Sequence, residues 1–326
     1  MKYRIGFLVA VCVVGLAFSW KAWSRYACKL VPMPWKTKEM VYASIRDLCH
    51  PQADDYLLLQ TYLQKGNRQE LAHLQGQEIR GFKIRLIEKD REVPQLQTVH
   101  VNNPAGKKEN CLIVYCSLNK NFVGGLRRLV THVANSDFCG DILYREGGWP
   151  NVEGGDLNLV HVPYAFKISF FKEAQRLGYK RALWLDTSVI PIVSLNQIFS
   201  TIEEKGYFVM GNGHTVGPYF NALAAEALGV ALEKSFEIPS CSAGLFGIDF
   251  SHPQAVKAIE RLYAAAHDRY AFFSKRWDQN ALSVILYQLG MHEMVPYARI
   301  AESKDKIASD SLFLLDRGFV HDHESL

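Results

Sequence analysis

Asp186 is the first residue of this chain whose type and position suggest chemistry. It directly follows the apolar run 183–185, which has the character of a buried strand. Ligands of open α/β sheets bind beyond the carboxyl ends of the strands, where a carboxylate would hold a divalent cation that bridges phosphate oxygens. A carboxylate that only caps the turn toward Pro191 fits this position equally well.

Two later segments carry residue types that also suit a ligand site. Residues 241–250 enter a strand through small residues, where Gly244 would let a ligand approach the backbone closely. A tight structural turn explains the same small residues equally well. Asp278 and Gln279 begin an apolar helix, in which Asp278 would either face the ligand or serve only as the N-cap.

Two histidines, His321 and His323, lie in the last six residues of the sequence. Imidazole is a common metal ligand, so one of them would complete the coordination shell of a metal ion. A solvated, charged chain end is the alternative interpretation of the same residues.

The elements that must position these residues follow from the hydrophobic pattern. Short apolar runs bounded by polar residues predict strands, and a period of about 3.6 residues predicts helices between them. Gly178 and Gly206 follow two of these helices and predict where they end. The predicted strands cover 112–116, 141–144, 181–190 and 207–210, and the predicted helices end near 134 or cover 163–177 and 195–204. The alternation predicts an α/β fold with a mostly parallel sheet flanked by helices.

The composition excludes several classes of protein. With 48% hydrophobic and 21% charged residues, the chain is neither disordered nor fibrous. A net charge of +4 is too small for the dense basic surface that nucleic-acid binding requires, so we expect no nucleic-acid partner. The seven cysteines include no C-x-x-C pair, which excludes a zinc ribbon and a thioredoxin-type motif.

An uncharged apolar run at residues 5–20 predicts an association with a membrane. Its length falls between a spanning helix of about 17–25 residues and a signal-peptide core of about 7–15. Ala17 and Ser19 would satisfy a cleavage rule, whereas Trp20 and Trp23 extend the segment as interfacial anchors. We favour an uncleaved anchor.

The sequence therefore divides into three parts. An N-terminal membrane anchor covers residues 1–25, a stem and N-terminal extension cover 26–108, and a domain of catalytic size covers 109–326. Within the extension, the pattern predicts a short helix around 51–63 and an edge strand at 79–87.

Basic residues flank the apolar run on both sides. They are Lys2 and Arg4 before it, and Lys21, Arg25, Lys29, Lys36 and Lys38 after it. The excess after the run favours a single-pass membrane protein with its catalytic domain on the cytoplasmic face. In a eukaryotic cell, the same chain would resemble a type II Golgi enzyme with its domain in the lumen.

Taken in order, these motifs resemble the nucleotide-sugar glycosyltransferases of the GT-A fold, of the glycogenin and lipopolysaccharide galactosyl- or glucosyltransferase type. The resemblance covers roughly residues 110–326 and rests on short motifs. A Leu-Asp-X-Asp strand end in that family is similar to 185–188, an Asn-Ser-Gly strand entry to 242–244, and an Asp-Gln helix start to 278–279. Lys167, one helix upstream, resembles a basic residue of the family that touches the nucleotide.

The resemblance implies transfer of a sugar from a nucleotide-sugar donor to a glycan, lipid or protein acceptor. It implies that Asp186 binds a metal ion or the ribose and that Asp278 faces the donor sugar or the developing positive charge. The implied donor-binding residues are Tyr115, which would stack on the base, with Asn119, Lys167, Gly244 and Gln279. A solvated lysine on an amphipathic helix is the alternative for Lys167.

The implied cofactor is Mn²⁺ or Mg²⁺, held by Asp186, Ser188 and either His321 or His323. Ser188 stands where the family has a second carboxylate, so the site would bind the metal more weakly. This loss supports a second interpretation, a non-catalytic membrane protein that binds a sugar nucleotide or glycan. A hydrolase is a third interpretation, although the chain contains no Gly-x-Ser-x-Gly motif.

Overall fold

The computed structural model describes residues 56–59, 78–79, 82–86, 96–116, 120–146, 159, 162, 164–268, 270–272 and 274–316. The chain divides into two compact units, Met1–Asp54 and Asp55–Leu326, and all of the described residues belong to the second. The predicted anchor, Asn119, His321 and His323 lie outside the described residues. Within them, no helix combines the length and apolar character needed to cross a membrane.

The described unit is built on one six-stranded sheet. Its strands are β4 (Gln97–Val101), β5 (Asn110–Cys116), β6 (Gly140–Glu146), β7 (Arg181–Leu185), β9 (Tyr207–Thr215) and β10 (Pro239–Asp249), in the order β4-β6-β5-β7-β10-β9. The helices are α1 (Lys120–Ala134), α2 (Phe166–Arg176), α3 (Leu195–Lys205), α4 (Ala222–Ala227), α5 (Pro253–His267) and α6 (Trp277–Gln288). The sequence is therefore a mixed α/β protein with a central sheet.

Two smaller three-stranded sheets accompany the central sheet. One has the order β1-β3-β2, formed by β1 (Tyr56–Leu59), β2 (Glu78–Ile79) and β3 (Phe82–Leu86). The other has the order β11-β12-β8, formed by β8 (Val189–Pro191), β11 (Ile300–Ala301) and β12 (Phe313–Leu315). The strand predicted at 79–87 is present as β3, but it pairs with β1 on one side and β2 on the other, so its predicted edge position is wrong. The predicted helix around 51–63 is also wrong, since a short leucine run fits a strand as well as a helix.

The central sheet is mixed: β5, β6, β7 and β9 run in one direction, as the predicted mostly parallel sheet requires, and β4 and β10 run in the other. The neighbours β6, β5 and β7 are parallel, as β-α-β units require, but β4–β6, β7–β10 and β10–β9 are antiparallel. Hydrophobic periodicity identifies a strand without giving its direction, and consecutive strands that pair directly, as β9 and β10 do, usually run antiparallel. The sheet also takes in β4, which the sequence pattern assigns to the extension before residue 109.

Helices cover both faces of the parallel strands. Alternate residues of β5 separate into two cores: Cys111 and Ile113 pack with α2, α5 and α6, whereas Leu112 and Val114 pack with α1 and α3. The crossovers β5-α1-β6 and β6-α2-β7 therefore use opposite faces of the sheet. The chain leaves β5 toward one neighbour and returns on its other side, so the carboxyl ends of β5 and β7 form a topological switch point.

Glycines end two helices as the sequence predicts. Gly178 follows α2 with φ +87°, and Gly206 follows α3 with φ +81°. Both values lie in the left-handed region, where glycine has no Cβ penalty. Gly206 also lies against His252, whose ring would be 2.4 Å from a Cβ at this position. The end of α3 and the direct entry into β9 therefore depend on glycine at 206.

A buried carboxylate, Asp141, lies at the amino end of β6, at the other end of the parallel strands from the switch point. It is fully buried at the start of β6 and accepts hydrogen bonds from Tyr179 Oη at 2.5 Å, Asn103 Nδ2 at 2.9 Å and Lys108 Nζ at 3.3 Å, and His100 Nδ1 lies 2.7 Å from Oδ1. Burial by itself would raise the pKa of Asp141, but these hydrogen bonds outweigh burial and lower the pKa.

We expect Asp141→Asn to lower the free energy of unfolding at pH 7 by about 3 kcal/mol, because an amide cannot accept all of these donors. The control is Asp137→Asn at an exposed position, where we expect almost no change. The folded pKa of Asp141 lies below the unfolded value, so its contribution is full above about pH 4–5 and is lost as pH falls through the folded pKa. In urea unfolding, the difference between the wild type and Asp141→Asn should shrink below about pH 4. A constant difference would show that ionisation of Asp141 plays no part.

Candidate active site

Lys167 lies between the two carboxylates that the sequence motifs single out. Its Nζ atom is 3.3 Å from Asp186 Oδ1 and 3.1 Å from Asp278 Oδ2, and it donates a hydrogen bond to the Ala243 carbonyl at 2.8 Å. The structure thus brings together residues from α2, β7, β10 and α6. Lys167 is only 8% exposed, so the alternative of a solvated surface lysine is wrong.

The end of β7 holds Asp186 in a fixed orientation. The Asp186 amide donates to the Gly244 carbonyl at 2.8 Å, and Trp184 Nε1 donates to Asp186 Oδ1 at 2.7 Å. Gly244 leaves room for the carboxylate, because a Cβ at this position would lie 2.6 Å from Asp186 Oδ2. The side chain of Asp186 is 42% exposed, so one carboxylate at the switch point is accessible to a ligand.

Asp278 is the inner carboxylate of the group. Its side chain is 15% exposed, and it lies with Lys167 at the edge of a mostly apolar cavity between α2, α5, α6 and β10. The N-cap position of α6 is occupied by Arg276, so the interpretation of Asp278 as the N-cap is wrong. Asp278 instead lies in the first turn of α6, where its carboxylate contacts the ammonium group of Lys167.

Two carboxylates share one ammonium group, and the pKa values reflect this imbalance. Burial alone would lower the pKa of Lys167, but Asp186 and Asp278 outweigh it and raise the pKa to about 12. Burial raises the pKa of Asp278, and the charge of Asp186 adds to this effect against the opposing charge of Lys167. Lys167 is therefore held as a cation, while the charge of the inner carboxylate is only partly compensated.

Gln279 extends the site along β10. Its Nε2 donates to Ser240 Oγ at 3.1 Å, and Asn212 Nδ2 from the neighbouring strand donates to the Cys241 carbonyl at 2.6 Å. Sequence reasoning missed Ser240 and Asn212, because nothing in their local sequence distinguishes them. Only the pairing of β9 with β10 and the packing of α6 place them beside Gln279.

Tyr115 and Ser188 have neighbours outside the Lys167 group. The ring of Tyr115 packs against Phe166 and Phe170, with centroid distances of 4.8 and 5.0 Å, and is partly buried. The Ser188 carbonyl accepts a hydrogen bond from the Asp316 amide at 2.9 Å, which ties the turn after Asp186 to the end of β12. The roles predicted for Tyr115 and Ser188 remain predictions.

The described side chains fit a metal ion only in part. They contain no group of three or more histidine, cysteine, aspartate or glutamate residues that would hold one. Mg²⁺ often takes one or two protein carboxylates together with substrate phosphates, and the exposed Asp186 suits that arrangement. Asp278 does not, because the ammonium group of Lys167 occupies the space beside its Oδ2.

No family profile matches the chain, and no curated protein sequence matches it.

For the glycosyl transfer that the sequence resemblance implies, we expect Gly244→Ala to lower turnover at least about tenfold, because the added methyl group must displace the carboxylate of Asp186. The free energy of unfolding should fall by only about 1 kcal/mol, since the neighbouring atom belongs to a partly exposed side chain. Gly124→Ala on α1 is the matched control, because its Cβ would meet nothing within 4 Å. Nucleotide release and thermal unfolding of both variants test this expectation, and equal activities of the two variants would contradict it.

Proposed function

We propose that this protein is a glycosyltransferase of the GT-A type that moves a sugar from a nucleotide-sugar donor to an acceptor. The observation that carries the proposal is the group formed by Lys167, Asp186 and Asp278. Three separate segments, each with a motif similar to one of that family, meet at the carboxyl end of β7. That edge of an α/β sheet is where such folds bind ligands.

Each member of the group suits one requirement of glycosyl transfer. A nucleoside diphosphate leaves with negative charge, and the ammonium group of Lys167 would stabilise that charge. The exposed Asp186 would bind the donor ribose or a metal ion, and Mn²⁺ or Mg²⁺ bound there would act as a Lewis acid on the diphosphate. Asp278, with its partly uncompensated charge, would favour the positive charge that develops on the sugar ring.

A second candidate function is a binding protein that holds a sugar nucleotide without transfer. The observation that favours it is Ser188, which stands two residues after Asp186 in place of a second carboxylate. A site with one exposed carboxylate binds a divalent cation more weakly than a site with two. The two candidates share the donor site and differ in turnover.

A panel of nucleotide sugars separates these candidates. The full chain is incubated with each donor and a mixture of glycan, lipid and protein acceptors, with and without Mn²⁺. A transferase releases nucleoside diphosphate from one donor class and labels an acceptor. Tight donor binding with no released nucleotide would contradict catalysis and support the binding protein. Failure to bind any nucleotide sugar would contradict both.

A further inference from the structure

Two cationic side chains and a histidine ring lie beside Tyr219, near the start of α6. Arg276 Cζ lies 4.7 Å from the Tyr219 ring centroid, Lys275 Nζ lies 5.6 Å from it, and the ring of His214 lies 4.9 Å away. We call His214, Tyr219, Lys275 and Arg276 the Tyr219 patch. The Lys275 amide and Asn280 Nδ2 both donate to the Tyr219 carbonyl, which fixes the patch to the first turn of α6.

The charge of the Tyr219 patch is not balanced by nearby acids. Lys275 and Arg276 are exposed, and among the described residues neither forms an ion pair with a carboxylate. Two like charges held near one ring repel each other, so an anion bound between them would lower their energy. Lys167, by contrast, is paired with two carboxylates.

The Tyr219 patch lies next to the Lys167 group, because Arg276 precedes Asp278 by two residues at the start of α6. Gly244 and Ser240 lie four residues apart on β10, in the stretch where its pairing with β9 is irregular. Asp186 contacts Gly244, whereas Gln279 contacts Ser240. Thr215, at the end of β9 and four residues before Tyr219, pairs with Pro239 of β10. In the proposed function, Lys167 and Asp186 already serve the donor diphosphate, which leaves the Tyr219 patch for a second anionic group.

We propose that the Tyr219 patch binds a phosphate group carried by the acceptor substrate, an inference that rests on the proposed transferase function. A phosphomonoester carries about −1.5 to −2 charges at pH 7, which matches two exposed cations better than a carboxylate does. The planar guanidinium group of Arg276 presents donors that fit phosphate oxygens in pairs. The acceptor is thus a sugar phosphate or a lipid with a phosphate headgroup, oriented with its hydroxyl toward Asp278.

The test compares the wild-type full chain in detergent with the variant Lys275→Gln/Arg276→Gln. Calorimetric titrations use glucose 1-phosphate, with glucose as the neutral control, and dioctanoyl phosphatidic acid, with dioctanoyl phosphatidylcholine as its control. We expect the Kd of a phosphate probe to rise at least about tenfold in the variant, since two charge-assisted contacts are lost. Binding of glucose 1-phosphate indicates a soluble acceptor, and binding of the phosphatidic acid alone indicates a lipid acceptor.

The matched control is Arg176→Gln/Lys304→Gln, which removes the same charges at exposed positions away from the patch. Its Kd values should stay at those of the wild type. Nucleoside diphosphates are titrated in parallel, and their Kd should change by less than about twofold in the patch variant. Unchanged phosphate binding in the patch variant would overturn the proposal, and equal weakening of nucleoside diphosphate binding would assign the patch to the donor. If phosphate binds through the patch while no nucleoside diphosphate binds anywhere, the phosphate site stands and the transferase function fails.

Discussion

Replacing Asp186 with asparagine should lower kcat at least about 100-fold, because in the proposed transferase the exposed carboxylate supplies charge to the bound donor or its metal ion. The fold should tolerate this change. An asparagine oxygen still accepts the hydrogen bond from Trp184 Nε1, and the variant leaves Lys167 and Asp278 as a one-to-one ion pair. We therefore expect the free energy of unfolding to change by less than about 1 kcal/mol.

Asp137→Asn provides the control for Asp186→Asn, since it removes the charge of an exposed aspartate far from the end of β7. Nucleotide release and urea unfolding are measured for both variants. A wild-type kcat in Asp186→Asn would remove this residue from the site. A large loss of stability would show that its carboxylate serves the fold and not the ligand.

Lys167→Met should have the second large effect, and it should affect both activity and stability. Removal of the ammonium group leaves Asp278 as a buried carboxylate without its compensating charge, which costs about 3–5 kcal/mol. The motifs in the sequence place Lys167 on an amphipathic helix and suggest a substitution without structural cost. Its burial and its two ion pairs show instead that the lysine is also structural.

A second substitution separates the two roles of Lys167. In Lys167→Met/Asp278→Asn, the buried charge is gone, so most of the lost stability should return while activity stays absent. In Lys167→Met alone, stability should fall as pH rises, because Asp278 keeps a folded pKa above its unfolded value and must ionise. Equal stability of the single and double variants from pH 5 to pH 8, in parallel unfolding curves, would contradict the ion-pair account.

The sequence singles out residues that the structure brings together, but it does not give the pairing of all the strands. Asp186, Gly244 and Asp278 follow from local signals, because a polar residue after an apolar run, a small-residue strand entry and a helix start are visible without tertiary structure. Their convergence on Lys167 is a tertiary fact. Its residues come from positions as far apart as 167 and 278, and no periodicity encodes the approach of α6 to β10.

Other features depend on tertiary contacts that no local pattern carries. The directions of β9 and β10 follow from which strands pair. Residues of both strands pack into the two hydrophobic cores, so their pairing depends on contacts with distant parts of the chain. The Tyr219 patch escaped sequence reasoning for the same reason, because Tyr219 and Arg276 are brought together only by the packing of α6. No sequence motif marks Asp141, since its hydrogen-bond partners come from four separate positions in the chain.

The most direct test of the account follows the sugar itself. Once the panel identifies a donor, its sugar is labelled with carbon-13, and NMR records the anomeric signal during incubation with the full chain and acceptor. The account predicts that in the wild type the anomeric signal shifts from that of the sugar on the nucleoside diphosphate to that of the sugar on an acceptor oxygen. In Asp186→Asn, the signal should stay that of the nucleotide sugar. Transfer at the same rate by both proteins, or a signal that stays on the nucleotide in the wild type, would contradict the account.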